Sequence, residues 1–199
     1  MKQVTKLTVI IAAAVAMMGY QAKALDVVWG NASGNPVFTD GSGNPLAIGD
    51  LVEVGADSAG TIAGFTIFAP SAGGVGYEGD NTSLGGTWAD EASTPGSSTF
   101  FSKPIYIAVF NGTTVGNSTD EALLKNTAWT FAADDSGSTA IDVSDAGTTI
   151  VLGATYVTGG TVSGALAGAD AIELVPEPSS IALVAMGLFG GIAMIRRRR

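Results

Sequence analysis

The 199-residue sequence contains no cysteine and no histidine, and each absence excludes a class of chemistry. Without cysteine the chain has no disulfide, no thiol nucleophile and no cysteine for lipid attachment. Without histidine it lacks the commonest general base, the usual nitrogen ligand for metals and any Ser-His-Asp triad. We therefore predict that the protein is not an enzyme.

Basic residues are also scarce away from the two ends of the chain. Between Leu25 and Val175 the basic residues are Lys103 and Lys125, and the whole chain has a formal net charge of -9. Such a surface repels phosphate backbones and anionic lipid headgroups. The composition therefore excludes nucleic acid as a partner and leaves divalent cations, or polymers bridged by them, as plausible ones.

Residues 1–24 have the pattern of a secretory signal peptide. Met1–Lys6 carries two lysines, Leu7–Met18 is almost wholly apolar, and Ala22 and Ala24 occupy the −3 and −1 positions of a cleavage before Leu25. Because the apolar segment is short for a permanent span, we predict export by the secretion machinery. The alternative is an uncleaved N-terminal anchor.

Residues 25–174 are predicted to form one exported all-β domain, a β-sandwich or a barrel-like fold with one short helix. Short runs rich in β-branched and aromatic residues alternate with Gly, Asn, Asp, Ser and Pro. A domain of this size can hold a core without disulfides. The candidate strands are Val27–Trp29, Leu51–Val54, Gly64–Ala69, Ile105–Phe110, Ala128–Phe131, Ile141–Val143, Thr149–Leu152, Thr155–Val157 and Ala171–Val175.

Ile105–Phe110 is the strongest of these strands, because its apolar run suggests burial on both faces and Pro104 can begin a strand. We expect it at the centre of the sheet, followed by a tight turn at Asn111-Gly112. The short helix is predicted in "NSTDEALLKN", where Ser118 and Glu121 have capping-box spacing.

The remaining segments of the domain read as turns and loops. The triplet "GNP" occurs at Gly34–Pro36 and Gly43–Pro45, which predicts a hairpin with its turn at Asp40–Gly43. Gly85–Ser102 and Gly159–Gly168 are rich in Gly, Ser and Thr, and we interpret them as long mobile loops or as weakly patterned edge strands.

Carboxylates are the only conventional catalytic groups present in number, so a carboxylate-only glycosidase is an alternative function. It needs two carboxylates facing one another across a sugar, and neighbours on a strand point to opposite faces. The triplet Asp135-Ser136-Gly137 matches an aspartic-protease motif once, whereas such a site needs two aspartates. A turn explains these residues better.

Calcium is the metal that these residue types would favour, because hard cations take several oxygen ligands from loops. One candidate cluster is Asp40, Asn44 and Asp50, and neither it nor the main cluster fits the EF-hand pattern. Solvated turn carboxylates are the preferred interpretation, so we predict no cofactor and keep calcium as the alternative. The main cluster consists of Asp134, Asp135, Asp142 and Asp145.

The three tryptophans are candidates for stacking on a sugar. Trp29 and Trp129 lie in apolar runs, which is typical of core residues. Trp88, between Gly86 and Asp90, is the one that we predict to bind a ligand, in a carbohydrate-binding module.

Residues 175–199 form a separate C-terminal segment. Pro176 and Pro178 end any preceding strand, and Ser179–Ile195 is uncharged and long enough for a membrane-spanning helix. The arginines at the end would stay on the cytoplasmic side and leave the acidic domain outside. They are Arg196, Arg197, Arg198 and Arg199.

This arrangement closely resembles the PEP-CTERM exported proteins: Pro176-Glu177-Pro178, a short glycine-containing span and an arginine cluster follow in order. The resemblance implies a bacterium with a Gram-negative-type envelope, usually one that makes exopolysaccharide. It also implies an exosortase that recognises Pro176, Glu177 and Pro178, removes the tail and releases the domain from the inner membrane. It implies no activity for residues 25–174.

Together these observations predict a non-enzymatic protein of the cell surface or extracellular matrix, associated with exopolysaccharide or biofilm. Two different functions stay open, a carbohydrate- or calcium-binding module and a carboxylate-only glycosidase. It is also open whether the C-terminal segment is kept as a permanent anchor.

Overall fold

A computed structural model describes residues 24–31, 35–70, 86–95, 99–159, 162 and 168–175 of the protein. Within these residues the chain forms eleven strands and two 3-10 turns, the turns at Ile62–Gly64 and Val115–Asn117. The strands are β1 (Ala24–Gly30), β2 (Val37–Thr39), β3 (Val52–Asp57), β4 (Phe65–Pro70), β5 (Ala89–Pro95), β6 (Pro104–Phe110), β7 (Glu121–Thr130), β8 (Ser138–Asp142), β9 (Thr149–Leu152), β10 (Ala154–Val157) and β11 (Ala171–Leu174).

The strands form three sheets, so the all-β prediction is confirmed, and none of the described sheets closes into a barrel. The large sheet has the order β4-β3-β6-β7-β9, and all of its pairings are antiparallel. The two small sheets have the orders β5-β1-β8 and β10-β11-β2. Each small sheet contains one parallel pair, β1 with β8 and β11 with β2.

Strand β6 lies at the centre of the large sheet, as the sequence predicts. Its alternate residues point to opposite faces, and both faces are buried. Ile105, Ile107 and Val109 belong to the main core, which also contains residues of both small sheets. Ala108 and Phe110 belong to a second cluster on the opposite face. The main core therefore lies where the three sheets meet.

The predicted helix from Ser118 to Lys125 is wrong, because these residues lead into β7, the longest strand. The run "EALL" pairs with β6 on one side and with β9 on the other. Ala122 and Leu124 enter the main core while Leu123 enters the second cluster, so the strand buries apolar side chains on both faces. Sheet pairing has overridden the local helix signal.

The connections also differ in part from the predictions. Asn111-Gly112 is not a tight turn, since ten residues separate β6 from β7. The hairpin turn at Asp40–Gly43 is confirmed: the Gly43 amide donates to the Asp40 carbonyl at 3.0 Å, and Thr39 bridges Pro45. Within Gly85–Ser102 the described residues include the edge strand β5, and most of Gly159–Gly168 lies outside them.

Candidate functional site

The turn between β8 and β9, residues 143–148, borders a groove on the surface of the described residues. Its own carboxylates hold it: Asp142 Oδ1 accepts from the Ser144 amide at 2.8 Å, and Asp145 Oδ2 accepts from the Asp142 amide at 3.2 Å. Asp and Gly in "DVSDAGT" are the residue types that such turns require, and Gly147 has a φ of 92°. The local sequence thus builds a compact, well-bonded turn.

Side chains of strand β7 hold this turn in place through hydrogen bonds. Opposite Ile105 the strand bulges, with Tyr106 paired to Lys125 and Pro104 paired to Thr130. The indole nitrogen of Trp129, within the bulge, donates to Asp145 Oδ2 at 2.9 Å. The buried amide of Asn126 donates to the Ala146 carbonyl at 3.1 Å. These bonds fix the turn relative to the large sheet.

The groove beside the turn has a volume of about 570 Å³. It lies between the turn, β9 and the small sheet that contains β10 and β11, and apolar side chains share its lining with polar ones. The apolar side chains are Pro36, Leu124, Val143, Ile150 and Ile172, the polar ones are Asn35, Ser144, Asp145 and Thr148, and Tyr156 joins both types.

Tyr156 projects from the edge strand β10 with 51% of its surface exposed. Its hydroxyl donates to Asp170 Oδ2 at 2.9 Å, and Asp170 Oδ1 accepts from the Gly159 amide at 2.9 Å. The Asp170 amide in turn donates to Asn35 Oδ1 at 2.9 Å. The hydrogen bond to Asp170 raises the pKa of the Tyr156 hydroxyl, which keeps the phenol protonated. The ring is therefore held in place while much of it faces solvent.

Among the described residues that line the groove, Asp145 is the only carboxylate. One of its oxygens accepts two hydrogen bonds, from Trp129 and from the Asp142 amide. A groove that combines an aromatic ring, apolar patches and a few polar groups is suited to binding a ligand with both apolar faces and hydroxyl groups.

The four aspartates predicted as calcium ligands fall into two separate turns. Asp134 and Asp135 precede β8, whereas Asp142 ends it and Asp145 follows it. The five residues of β8 span about 17 Å, so the two pairs lie far apart. In the described part of the chain, no group of three or more acidic side chains is placed to hold a metal ion.

The second cluster also separates into local turns. Asp40 Oδ1 accepts from the amides of Ser42 and Asn44, at 2.8 and 2.9 Å. Asp50 Oδ2 accepts instead from the Ala47 amide at 2.9 Å. The structure thus places Asp40 and Asn44 together in one turn and Asp50 in another, each closing its own turn.

Trp88, which the sequence predicts to bind a ligand, is fully buried in the main core. Its ring packs against Phe38 with the ring centroids 6.1 Å apart. Its amide donates to Asn31 Oδ1 at 2.6 Å. Trp29 and Trp129 are also core residues, as predicted. The exposed aromatic side chain at the groove is instead Tyr156.

Sequence reasoning did not identify Tyr156 or Asp170 as functional residues. Tyr156 stood in a predicted strand, where one aromatic residue carries no functional signal. Asp170 lies just before β11, and its contact with Tyr156 depends on the antiparallel pairing of β10 with β11. Only this pairing brings the two side chains together.

The predicted processing sites adjoin core strands β1 and β11. Strand β1 begins at Ala24, and Leu25 is fully buried. Strand β11 ends at Leu174, and the Val175 amide donates to the Gly153 carbonyl at 2.8 Å. The other residues predicted to act in processing or membrane insertion lie outside the described residues: Ala22, Pro176, Glu177, Pro178, Ser179–Ile195 and Arg196–Arg199.

A search for membrane-spanning helices covered the described residues alone. Within them, no helix has the length and apolar character needed to cross a membrane.

Comparison with protein-family models matches residues 174–199 to the PEP-CTERM protein-sorting motif, the C-terminal sorting signal of exosortase substrates. The resemblance stated from the sequence is thereby confirmed. Searches of curated proteins and of solved structures found no significant match. The motif marks an exported, surface-directed protein of a Gram-negative-type bacterium and implies processing by an exosortase.

Proposed function

We propose that this protein, whose residues 174–199 are the sorting signal of an exosortase substrate, is a non-enzymatic component of the cell surface or extracellular matrix. Signal peptidase removes residues 1–24, and the tail holds the domain in the inner membrane. Exosortase then cuts at Pro176–Pro178 and the domain reaches the exopolysaccharide or biofilm matrix. Its scarcity of basic residues and its lack of histidine and cysteine support a structural or binding role.

The observation that carries this proposal is the junction between the last strand and the sorting motif. Strand β11 ends at Leu174, where the matched motif begins. A cut at Pro176–Pro178 therefore removes none of the eleven strands, and β11 remains the central strand of its sheet. A cut before Leu25 removes only the first residue of β1. Processing at both ends therefore keeps all eleven strands and shortens β1 by one residue.

The first test is the intact mass and the C-terminal residue of the native protein, taken from washed cells and from the extracellular fraction. We expect a chain that begins at Leu25, ends within Pro176–Pro178 and lies outside the membrane. A full-length C-terminus found in the membrane would overturn the processing step and leave a permanently anchored domain.

A matched pair of variants tests whether the motif directs this cleavage. We expect Glu177→Gln to accumulate with its C-terminal arginines in the membrane fraction, because it alters the recognition residues. Glu173→Gln, on β11 just before the matched residues, makes the same chemical change and should be processed normally. Normal processing of Glu177→Gln, measured by the same mass analysis, would contradict the role of the motif.

Carbohydrate binding is the second candidate function, and the groove beside Tyr156 favours it over glycoside hydrolysis and over calcium binding. Glycoside hydrolysis needs two facing carboxylates, and Asp145 is the one carboxylate among the described lining residues. Calcium binding needs several converging oxygen ligands, whereas Asp134 and Asp135 lie at the opposite end of β8 from Asp142 and Asp145.

A further inference from the structure

We propose that the groove between the β8–β9 turn and β10 binds a neutral polysaccharide chain, with Tyr156 as the ring on which a sugar stacks. This inference rests on the proposed extracellular role and names the class of ligand that the domain would meet there. It concerns a site distinct from the sorting motif.

The first support is that the Tyr156 ring is both held in place and exposed. Tyrosine offers a large, rigid contact surface at low entropic cost, because it has only two side-chain torsions. Here the hydroxyl is already held by Asp170 at 2.9 Å, and Asp170 is held by the amide of Gly159 and by the side chain of Asn35. About half of the side-chain surface stays open to solvent. A ligand with a flat apolar face would find this surface ordered before it binds.

The second support is the mixture of groups around the ring. Pro36, Ile150 and Ile172 supply apolar surface, and Asn35, Ser144, Asp145 and Thr148 supply amide, hydroxyl and carboxylate groups. A sugar ring carries hydroxyl groups at its edge and C–H groups on its faces, so it can use both kinds of surface at once. A volume of about 570 Å³ is in the usual range for binding sites of small ligands.

The third support is charge, which selects among polysaccharides. The groove is lined by one carboxylate and by no basic residue among the described ones. The two lysines of residues 25–175, Lys103 and Lys125, are not among its lining residues. Uronate or sulfate groups would meet repulsion without compensation. The ligand class is therefore a neutral glycan.

Equilibrium binding tests the proposal with protein purified from its own host, from whichever fraction contains it. The probes are neutral hexasaccharides of β-linked glucose, mannose and xylose, with hexagalacturonate as the anionic probe and tetralysine as a basic peptide probe. We expect binding to at least one neutral probe and none to hexagalacturonate. Since binding is measured on processed or unprocessed protein, a failure of sorting and a failure of binding are separate results.

Three variants locate the site. Tyr156→Ala should weaken binding by about tenfold or more, and Tyr156→Phe by less, because the ring remains while the bond to Asp170 is lost. Ile67→Ala is the control, since Ile67 is 48% exposed on β4 and does not line the groove. It should bind like the wild type, and unfolding curves should show that all three variants are folded.

Several results would overturn the proposal. One is the absence of binding to every neutral probe. Another is equal binding by the wild type and Tyr156→Ala, which would place the glycan elsewhere. Binding of tetralysine or hexagalacturonate that depends on Tyr156 would assign the groove to a different class of ligand.

Discussion

The large sheet and the two small sheets are built from different kinds of pairing. In the large sheet all neighbours are antiparallel, and the five strands come from Val52 to Leu152. Each small sheet is centred on a strand from one end of the domain, β1 or β11. The parallel partners of these strands are distant in sequence: Asp26 pairs with Ser138 and Ala171 pairs with Val37.

This difference in pairing predicts that the small sheets are less stable than the large sheet. Closing a long loop costs conformational entropy before any contact is gained, so the small sheets depend on the large sheet being in place. They join it through the main core and through Gly153, the single residue between β9 and β10. We therefore expect the small sheets to open at lower free energy than the centre of the large sheet.

The largest effect is expected from Gly153→Ala, at the junction between the two kinds of sheet. Gly153 has a φ of 72°, and an added Cβ would collide with the Glu121 carbonyl and approach Ala122. Strain and overpacking together should lower the free energy of unfolding by about 4 kcal/mol. Urea denaturation followed by circular dichroism measures this change.

Gly159→Ala separates the two causes. Gly159 has a similar φ of 71°, but an added Cβ would meet none of the described atoms within 4 Å. The substitution should lower the free energy of unfolding by about 1 kcal/mol, because only the strain of a positive φ remains. Equal losses in both variants would show that the crowding against Glu121 is unimportant.

The next largest effect is expected from Asn31→Ala, which acts on the small sheets. The fully buried Asn31 follows β1, and its side chain donates to the carbonyls of Pro36 and Gly86 and accepts from the Trp88 amide. Removing it leaves buried backbone groups without partners, at a cost of about 2 to 3 kcal/mol. Hydrogen exchange should accelerate most in β1, β2 and β5.

Asn111→Ala is the matched change on the large sheet. Asn111 follows β6, and its side chain bonds to Thr119 and Asp120 across the loop to β7. Because this site is only partly buried, the loss should be about 1 kcal/mol and exchange should change only near the loop. A larger loss for Asn111→Ala than for Asn31→Ala would reverse the predicted order of stability.

The smallest effect is a gain, from Glu53→Gln in β3 of the large sheet. Burial raises the pKa of the Glu53 carboxyl, and the described residues offer it no hydrogen bond or ion pair. The folded-state pKa of Glu53 therefore exceeds its unfolded-state pKa. As the pH rises through the folded-state pKa, the buried carboxyl loses its proton and the free energy of unfolding falls. The variant should therefore be more stable at pH 7, by no more than about 1 kcal/mol.

The pH dependence checks the sign of this effect. Below the ordinary pKa of glutamate, about 4.3, Glu53 is protonated, so the wild type and Glu53→Gln both carry a neutral side chain at this position. The difference in their free energies of unfolding should then vanish. Thermal unfolding of both proteins between pH 4 and pH 7 measures it. A gain that persists at pH 4 would assign the effect to packing instead of charge.

Local pattern was enough to predict most of the strands but not the whole topology. Ile105–Phe110 was predicted correctly as the central strand, because its unbroken apolar run requires burial on both faces. The helix at Ser118–Lys125 was wrong, because capping spacing is a local signal, whereas pairing with β6 and β9 and burial on both faces make the segment a strand. Strands β2 and β5 have few apolar residues in regular alternation, so their pairing appears only when their partners are known.

The candidate groove was harder to predict than the fold. Asp142 and Asp145 were predicted as members of a four-aspartate calcium cluster; Asp142 ends β8 and Asp145 lies in the turn that borders the groove. Trp88 was expected to be exposed because it lies between Gly86 and Asp90, whereas in the structure Phe38 packs against its ring and Asn31 accepts a hydrogen bond from its amide. The orientation of the Tyr156 side chain depends on hydrogen bonds that link it to Asp170 and Asp170 to Asn35. No local sequence pattern connects these three positions.

The sorting signal could be identified without a structure, because it is a contiguous segment: Pro176-Glu177-Pro178, an apolar stretch and four arginines. The sequence by itself also determined which chemistry is excluded, since absent residue types are absent in any fold. The groove, in contrast, depends on tertiary structure. Its ring, Tyr156, and its carboxylate, Asp145, lie close together in the chain, but Asn35, Pro36, Leu124 and Ile172 complete its lining from distant segments. These segments meet only when the small sheets pack on the large one.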